Sequence, residues 1–317
     1  MARLAILIPW WNTDTRFEDT LVSILQNRPN DCRVCVVHNQ PYDDPWQLAG
    51  EVEFLQIEAA SEVGLINAGW RAISAPVIHI IRCGYEAVEG WVDEALGYFA
   101  NPKVASVVPV VLQHAARNLV AFAGVRMENG ERHLVATGWP LQRIEAQPWN
   151  ASGPALSAAF LRRSVLEASG GYDEWLGTAA ADADLAVRWS QAGWQTALAA
   201  NSRLSGPLED PQLSPVQAAR YLSRLYWRYA PCPRWRSHLR GCWRVWQRCR
   251  SRSLRHVASE LWGSWLGYWD CVKRPIRQNP TAGQAAFGSE RTDRALGTGG
   301  RLERDDSRHS SPLRRAA

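Results

Sequence analysis

The chain has no window of about 18 or more uncharged apolar residues, the length a membrane-spanning helix needs. Its first apolar run, Leu4 to Ile8, is too short for a secretory signal and reads as a strand, so a cytosolic setting is expected. The seven cysteines lack the spacing of a disulfide framework. Cys32 and Cys35 form a Cys-x-x-Cys, but residues three apart on a strand face opposite sides and cannot share one metal; buried thiols are expected. Acidic residues almost vanish from one stretch, because 211–275 carries 13 basic side chains and only 2 acidic ones. No internal repeat is present.

What is present suits a globular protein. The 317 residues are 46% hydrophobic, enough for one large domain, alone or with an appendage. Residues 1–210 carry a net charge of −9, 211–275 of +11 and 276–317 of +3, so the overall +5 conceals an acidic body and a basic appendage. The expected organisation is a domain over 1–210, a Trp/Arg-rich helical appendage over 211–275 and a disordered Gly/Arg/Ser-rich tail over 276–317.

Apolar runs predict strands at Arg3–Ile8, Arg33–Val37, Val52–Ile57, Val77–Ile81, Val104–Val111, Ala155–Phe160 and Gln195–Ala199. Helical spacing predicts helices over Phe17–Gln26, Gly64–Ile73, Trp91–Phe99, Arg163–Ala168 and Asp182–Ala192, and a hairpin is expected around Glu128–Glu131. Strands alternating with helices in this way indicate an α/β fold with a largely parallel sheet. Ligands of such sheets bind outside the carboxyl ends of the strands. That rule selects Pro9–Asn12, His38–Asp44, Arg82–Glu86 and the region after Phe160 that leads to Asp182.

The most informative stretch, Ser152 to Trp194, places Asp182 and Asp184 at the mouth of a helix after a Gly170–Gly171 turn. Helix N-termini present unpaired N–H groups and a positive dipole end, so carboxylates there stay ionised and can act as base or anchor. They can equally be ordinary N-terminal helix charges. The order of small residues, Arg-Arg, Gly-Gly-Tyr-Asp-Glu, acidic pair, Leu, Arg and Ala-Gly-Trp resembles the acceptor half of family 2 glycosyltransferases. LAILIPWWN, VVHNQPYDDP and EVGLINAGWRAISAPVIHII resemble the nucleotide half, and the likeness spans about residues 3–205.

This resemblance implies a GT-A type nucleotide-binding sandwich with a mixed, largely parallel central sheet, followed by basic amphipathic helices. It implies inverting transfer of a sugar from a nucleotide-diphospho-sugar to a lipid-linked or polysaccharide acceptor in cell-envelope glycan synthesis. By the same resemblance Asp182 is the catalytic base and Asp184 its positioning neighbour, with Ala181 in the first place of the pair. Pro9, Asn12, His38, Asn39, Asp43, Asn67 and Arg82 would hold the nucleotide sugar, and Gly153, Gly170, Gly171, Tyr172 and Asp173 would shape the acceptor pocket.

In the family an Asp-x-Asp after the fourth strand holds Mg²⁺ or Mn²⁺ through hard oxygen ligands. Here Arg82, Cys83 and Gly84 stand there, His38 replaces the nucleoside-binding Asp, and no histidine occurs between His133 and His238. Glu86 or Glu89 could substitute as metal ligand, or Arg82 could clamp the diphosphate directly; alternatively the site is dead and the chain is a binding or scaffold protein. Trp10, Trp11 and Trp91 could stack on a base or sugar or fill the core, and Arg162 and Arg163 could meet phosphate or open a helix.

Residues 216–272 hold 7 of the 17 tryptophans. Leu254, Val257, Leu261, Trp265 and Trp269, with Ala258, Trp262 and Leu266 adjacent, trace one apolar face, with Arg240, Arg244, Arg248, Arg252 and Arg255 beside it. Tryptophan with arginine suits an anionic membrane surface, which suggests a peripheral protein on the inner face of the membrane. A plain helical lid is the alternative. Nucleic acid is not an expected partner, because an acidic body repels a polyanion.

Overall fold

The computed structural model describes residues 3–12, 14–128, 130–145, 153–208, 213–229 and 254–273. The strands are β1 (Leu4–Trp10), β2 (Cys32–His38), β3 (Val52–Gln56), β4 (Val77–Ile81), β5 (Glu86–Ala87), β6 (Val104–Gln113), β7 (Ala116–Phe122), β8 (Val125–Glu128), β9 (Glu131–Leu134), β10 (Ala158–Arg162) and β11 (Gln195–Gly206). The helices are α1 (Phe17–Asn27), α2 (Glu62–Ala72), α3 (Asp93–Tyr98), α4 (Leu141–Glu145), α5 (Arg163–Ser169), α6 (Ala181–Gln191), α7 (Pro215–Tyr229) and α8 (Leu254–Lys273).

The main sheet runs β3-β2-β1-β4-β10-β6-β11-β5, with β7 paired to β6 and β8–β9 forming a separate hairpin. β3, β2, β1 and β4 are parallel, β10 enters antiparallel between β4 and β6, and β6 and β11 resume the parallel direction. The mixed, largely parallel sheet expected from the sequence is therefore present. Period-two alternation sends Ala5 and Leu7 to one face, where they meet Leu65, Ile66 and Trp70 of α2 and Leu185 and Trp189 of α6. Leu4, Ile6 and Ile8 go to the other face with Phe17, Leu21 and Ile24 of α1.

Most element boundaries shift by one or two residues from expectation, and two shift further. The strand expected at Ala155–Phe160 lies at Ala158–Arg162, and the last strand continues from Ala199 to Gly206 across a bulge. The hairpin expected around Glu128–Glu131 is β8–β9. Arg162 caps the neighbouring turn by donating to the carbonyls of Phe99, Asn101 and Val104 at 2.8–2.9 Å, and Arg163 pairs with Glu167 at 2.7 Å, so both serve the fold.

α7 and α8 form a tight parallel pair, in which Val216, Arg220 and Arg224 lie beside Gly263, Gly267 and Cys271. Gly263 and Gly267 of α8 lie so close to the backbone of Val216 and Arg220 that a side chain at either would collide with it. Asp270 closes the pair, accepting from Arg220 at 2.6 and 2.8 Å and from Arg224 at 2.7 and 2.9 Å; these bonds hold its carboxyl below the usual range. No helix among the described residues is long and apolar enough to cross a membrane. Much of the expected basic helical segment, residues 230–253, and the tail from 274 onward lie outside the described residues.

One buried histidine sets a pH dependence. His79 in β4 stacks on Phe160 at 3.6 Å, and its Nδ1–H donates to the Ala159 carbonyl at 3.0 Å, while Nε2 has no partner. Burial holds its pKa down to about 3, so the folded protein keeps the ring neutral where the unfolded chain protonates it below about 6.5. The unfolded state thus binds more protons between these values, and stability falls as pH drops through that window. A slope approaching 1.4 kcal/mol per pH unit is expected from this residue alone, and His79→Leu should flatten it in urea titrations between pH 6.5 and 4.

Candidate active-site cleft

At the carboxyl end of β1 the chain leaves the sheet through Trp11 and Asn12, the latter in the left-handed region at φ +52°. Asn12 and Asn39 exchange hydrogen bonds at 3.3 and 3.4 Å, tying the ends of β1 and β2 together. A cleft of about 670 Å³ opens beside them. Its walls are Trp11, Asn12 and Asp14 to Arg16, Ser61 to Val63 at the start of α2, Gly177–Thr178, and Leu213, Gln217 and Tyr221 beside and along α7. Gly177, at φ +61°, has no side chain to keep the Tyr221 ring away.

Charge in this corner is arranged in pairs. Arg82 follows β4 and is buried, and its Nε and Nη2 donate to Glu62 at 2.5 and 2.6 Å. Arg16 forks onto Asp14 at 2.9 and 2.6 Å. Burial alone would push the Asp14 carboxyl up, but its bonds to Arg16 and the charges of Arg16 and Arg82 hold it below the ordinary range. The Arg82–Gly84 turn is rigid. The Arg82 N–H donates to Ser157 O at 3.0 Å, the Gly84 N–H donates to Thr20 Oγ1 at 2.8 Å, and Cys83 Sγ donates to Pro9 O at 3.4 Å.

A divalent cation does not fit these groups. A hard cation needs several oxygen ligands. The turn supplies a guanidinium, a buried thiol whose proton burial retains, and a glycine, while Glu62 is engaged by Arg82. Glu86 pairs with Ser205 in the sheet and Glu89 is exposed; among the described residues no three His, Cys, Asp or Glu side chains are grouped to hold a metal.

The acidic pair at the start of α6 is wholly enclosed. Asp182 is 0% exposed and receives both arms of Arg132 from β9 at 2.8 Å, the Leu156 N–H at 3.1 Å and the Ala183 N–H at 2.8 Å. Asp184, 1% exposed, accepts from Arg188 and Arg228 at 2.8 Å each and from Tyr229 Oη at 2.7 Å. Burial and this carboxylate both push the Tyr229 hydroxyl pKa up, so it stays a donor. Neither carboxylate faces the cleft. Asp182 lies behind Arg132, closed off from solvent.

The other expected site residues divide into two groups. Pro9, Asn12, His38 and Asn39 gather at the ends of β1 and β2, where His38 Nδ1 lies 2.5 Å from Gln40 O, and Asp43 is exposed nearby. Asn67, Gly171 and Tyr172 form a buried brace instead, and the exposed Gly170, at φ +78°, turns the chain into it. Asn67 donates to Tyr172 O at 2.8 Å and accepts from Tyr172 N and Trp70 Nε1 at 3.1 Å, so its amide is spent inside the protein. Gly171 is needed there because a Cβ would lie 2.6 Å from Asn67 Oδ1. Gly153 packs against Ala186 with no room for a methyl group, and Asp173 pairs with Arg228 at 2.6 Å. Of the three tryptophans weighed, Trp91 is core, Trp10 stacks on Phe17, and Trp11 lines the cleft.

Sequence reasoning missed Asp14, Arg16, Glu62, Gln217 and Tyr221, which line the cleft. It also missed His114, which bridges Gly84 O at 3.0 Å and Ser205 Oγ at 2.9 Å. Its position just beyond the carboxyl end of β6 was the available signal.

No protein-family model and no curated protein sequence matches the chain. Among solved structures, GalNAc-T7 with UDP, GalNAc and Mn²⁺ matches 87% of this chain at 11% identity with a TM-score of 0.56. The chain spans 58% of that protein's length. The mannosyltransferase PcManGT from Pyrobaculum calidifontis, in complex with GDP-Man and Mn²⁺, matches 90% of this chain and 84% of its own at 14% identity, with a TM-score of 0.50. The architecture is that of the GT-A glycosyltransferases.

The Asp184 cluster generates a stability test. Asp184→Ala would leave Arg228 and Arg188 facing a dry gap, a change that typically costs about 3–5 kcal/mol. The urea midpoint should fall accordingly, whereas Asp43→Ala, at an exposed position, should change the unfolding free energy by less than about 0.5 kcal/mol.

Proposed function

We propose that the protein is an inverting glycosyltransferase that takes a sugar from a nucleotide-diphospho-sugar and passes it to a lipid-linked or polysaccharide acceptor in cell-envelope glycan synthesis. The observation that carries this reading is the cleft at the carboxyl end of β1 in a GT-A architecture, lined by Trp11, Asn12 and Arg16. Solved proteins of the same fold hold UDP or GDP-Man. The nucleotide would lie along the Pro9–Asn12 and His38–Asp43 ends, with Arg82 behind Glu62 adding positive charge. Asn67 braces the pocket from behind rather than touching the ligand.

In the reaction an acceptor hydroxyl oxygen attacks the anomeric carbon, the bond to the diphosphate breaks, and the nucleoside diphosphate departs with that electron pair. Asp182 takes the hydroxyl proton once the β8–β9 hairpin has drawn Arg132 aside. Wild-type protein given UDP-, GDP- and dTDP-sugars with a lipid-linked acceptor should form product with one donor. Asp182→Asn should reduce turnover by roughly 100-fold or more while donor binding by calorimetry stays intact. Absence of product and of nucleotide binding would remove the transferase reading.

The Arg132–Asp182 fork also favours a second reading, a non-catalytic binding module in which this ion pair is purely structural. Under it, Asp182→Asn changes stability but not the binding of any partner.

The proposed place of action is the cytoplasmic face of the membrane. Leu261, Trp262, Trp265, Trp269 and Val272 of α8 are 44–56% exposed, and the three indoles stack in sequence at 5.2 and 6.0 Å. Their faces cover one another, so the row offers solvent a continuous apolar edge suited to the headgroup region. Vesicles containing anionic lipid should bring down the full chain in sedimentation, and replacing Trp262, Trp265 and Trp269 with Ser should release it. Equal sedimentation of both proteins would exclude this face as the contact.

A further inference from the structure

Building on the nucleotide-diphospho-sugar reading, we propose that the cleft holds a diphosphate without a divalent cation, through Arg16 as contacting residue and Arg82 as its electrostatic partner. The first observation is steric. Gly84 sits at φ +89° directly beneath the Arg16 side chain, and a Cβ there would lie 2.7 Å from Arg16 Nη1 and 3.0 Å from its Cζ. The turn after β4 therefore has a glycine where any larger residue would displace the guanidinium. Rigid anchors on Thr20, Ser157, His114 and Pro9 keep that seat in place.

The second observation concerns charge. The cleft wall carries two carboxylates, Asp14 and Glu62, which would repel a diphosphate if left alone. Arg16 offsets the first and Arg82 the second, each through two hydrogen bonds. A divalent cation set between two carboxylates would bring the same formal total. Two guanidinium groups supply it here from the chain itself, in a planar geometry that matches phosphate oxygens. Arg16 lines the cleft and its side chain is 30% exposed, whereas the Arg82 side chain is 9% exposed behind Glu62. Arg16 thus meets the ligand, and Arg82 cancels the charge that would expel it.

The test is calorimetric titration of the full chain with inorganic pyrophosphate, in EDTA and again in Mn²⁺, followed by UDP, GDP and dTDP. Pyrophosphate should bind in EDTA, with an affinity within about twofold of that in Mn²⁺. Arg16→Gln should weaken it by roughly tenfold, the effect of one charge-assisted hydrogen bond. Glu62→Gln should tighten it about threefold by removing a repelling charge, an effect that loss of packing would not produce. Binding that requires Mn²⁺, or an Arg16→Gln protein that folds and binds as tightly as wild type, overturns the inference while leaving the donor reading in place. Metal-free pyrophosphate binding with no nucleoside diphosphate bound more tightly supports the anion site and overturns the donor reading. No binding of either ligand at millimolar concentration overturns both.

Discussion

Two aspartates in the first turn of one helix hold three otherwise separate parts of this molecule together. Asp182 fixes the β8–β9 hairpin through Arg132, and Asp184 fixes α7 through Arg228 and Tyr229. Arg188, one turn further along α6, joins Asp184 to the carbonyls of Ser169 and Gly171. Each carboxylate is dry, so each arginine is held by the cost of leaving a buried charge unmatched rather than by a surface attraction. The backbone N–H groups at the head of α6 favour negative charge there, which suits one short helix to carrying two carboxylates at near-zero exposure.

The cleft depends on this arrangement at one remove. Its far wall is α7, whose Gln217 and Tyr221 face Trp11 and Ser61, and α7 is seated by Arg228 on Asp184 and Asp173. The near wall depends on the sheet, because β1 and β4 deliver the Trp11–Asn12 and Arg82–Gly84 turns to the same end. Charged groups sit at both places, but they differ in kind. Those around α6 are saturated and enclosed, whereas Arg16 and Asp14 open onto a space large enough for a nucleotide-sized ligand.

The sheet was legible because buried parallel strands are short, continuous apolar runs, as in VIHII of β4 and LAILIPW of β1. β10 entering antiparallel was not legible, since its apolar pattern carries no direction and only its pairing with β4 and β6 reveals it. The acidic pair stood out through its place after Gly170–Gly171. Its partners could not be seen, because Arg132, Arg228 and Tyr229 lie 50, 44 and 45 residues away and no local pattern links them. The same holds for Arg16 and Gly84, whose contact depends on folding of the β1–α1 loop over the β4 turn. Asn67 was noticed for the right helix and the wrong neighbour. An amide on α2 can serve a ligand or a loop, and only its hydrogen bonds to Tyr172 decide which.

The seating of α7 also sets an order of events for a chain made from its N-terminus. When only the first 210 residues have emerged, every strand of the sheet exists, yet Asp184 lacks two of its three side-chain donors and the cleft lacks a wall. The strands can pair and the core can close at that stage, but α6 still presents a carboxylate that water must solvate. Arrival of Arg228 and Tyr229 expels that water and completes the pocket in one step, so binding competence is acquired after the sheet rather than with it.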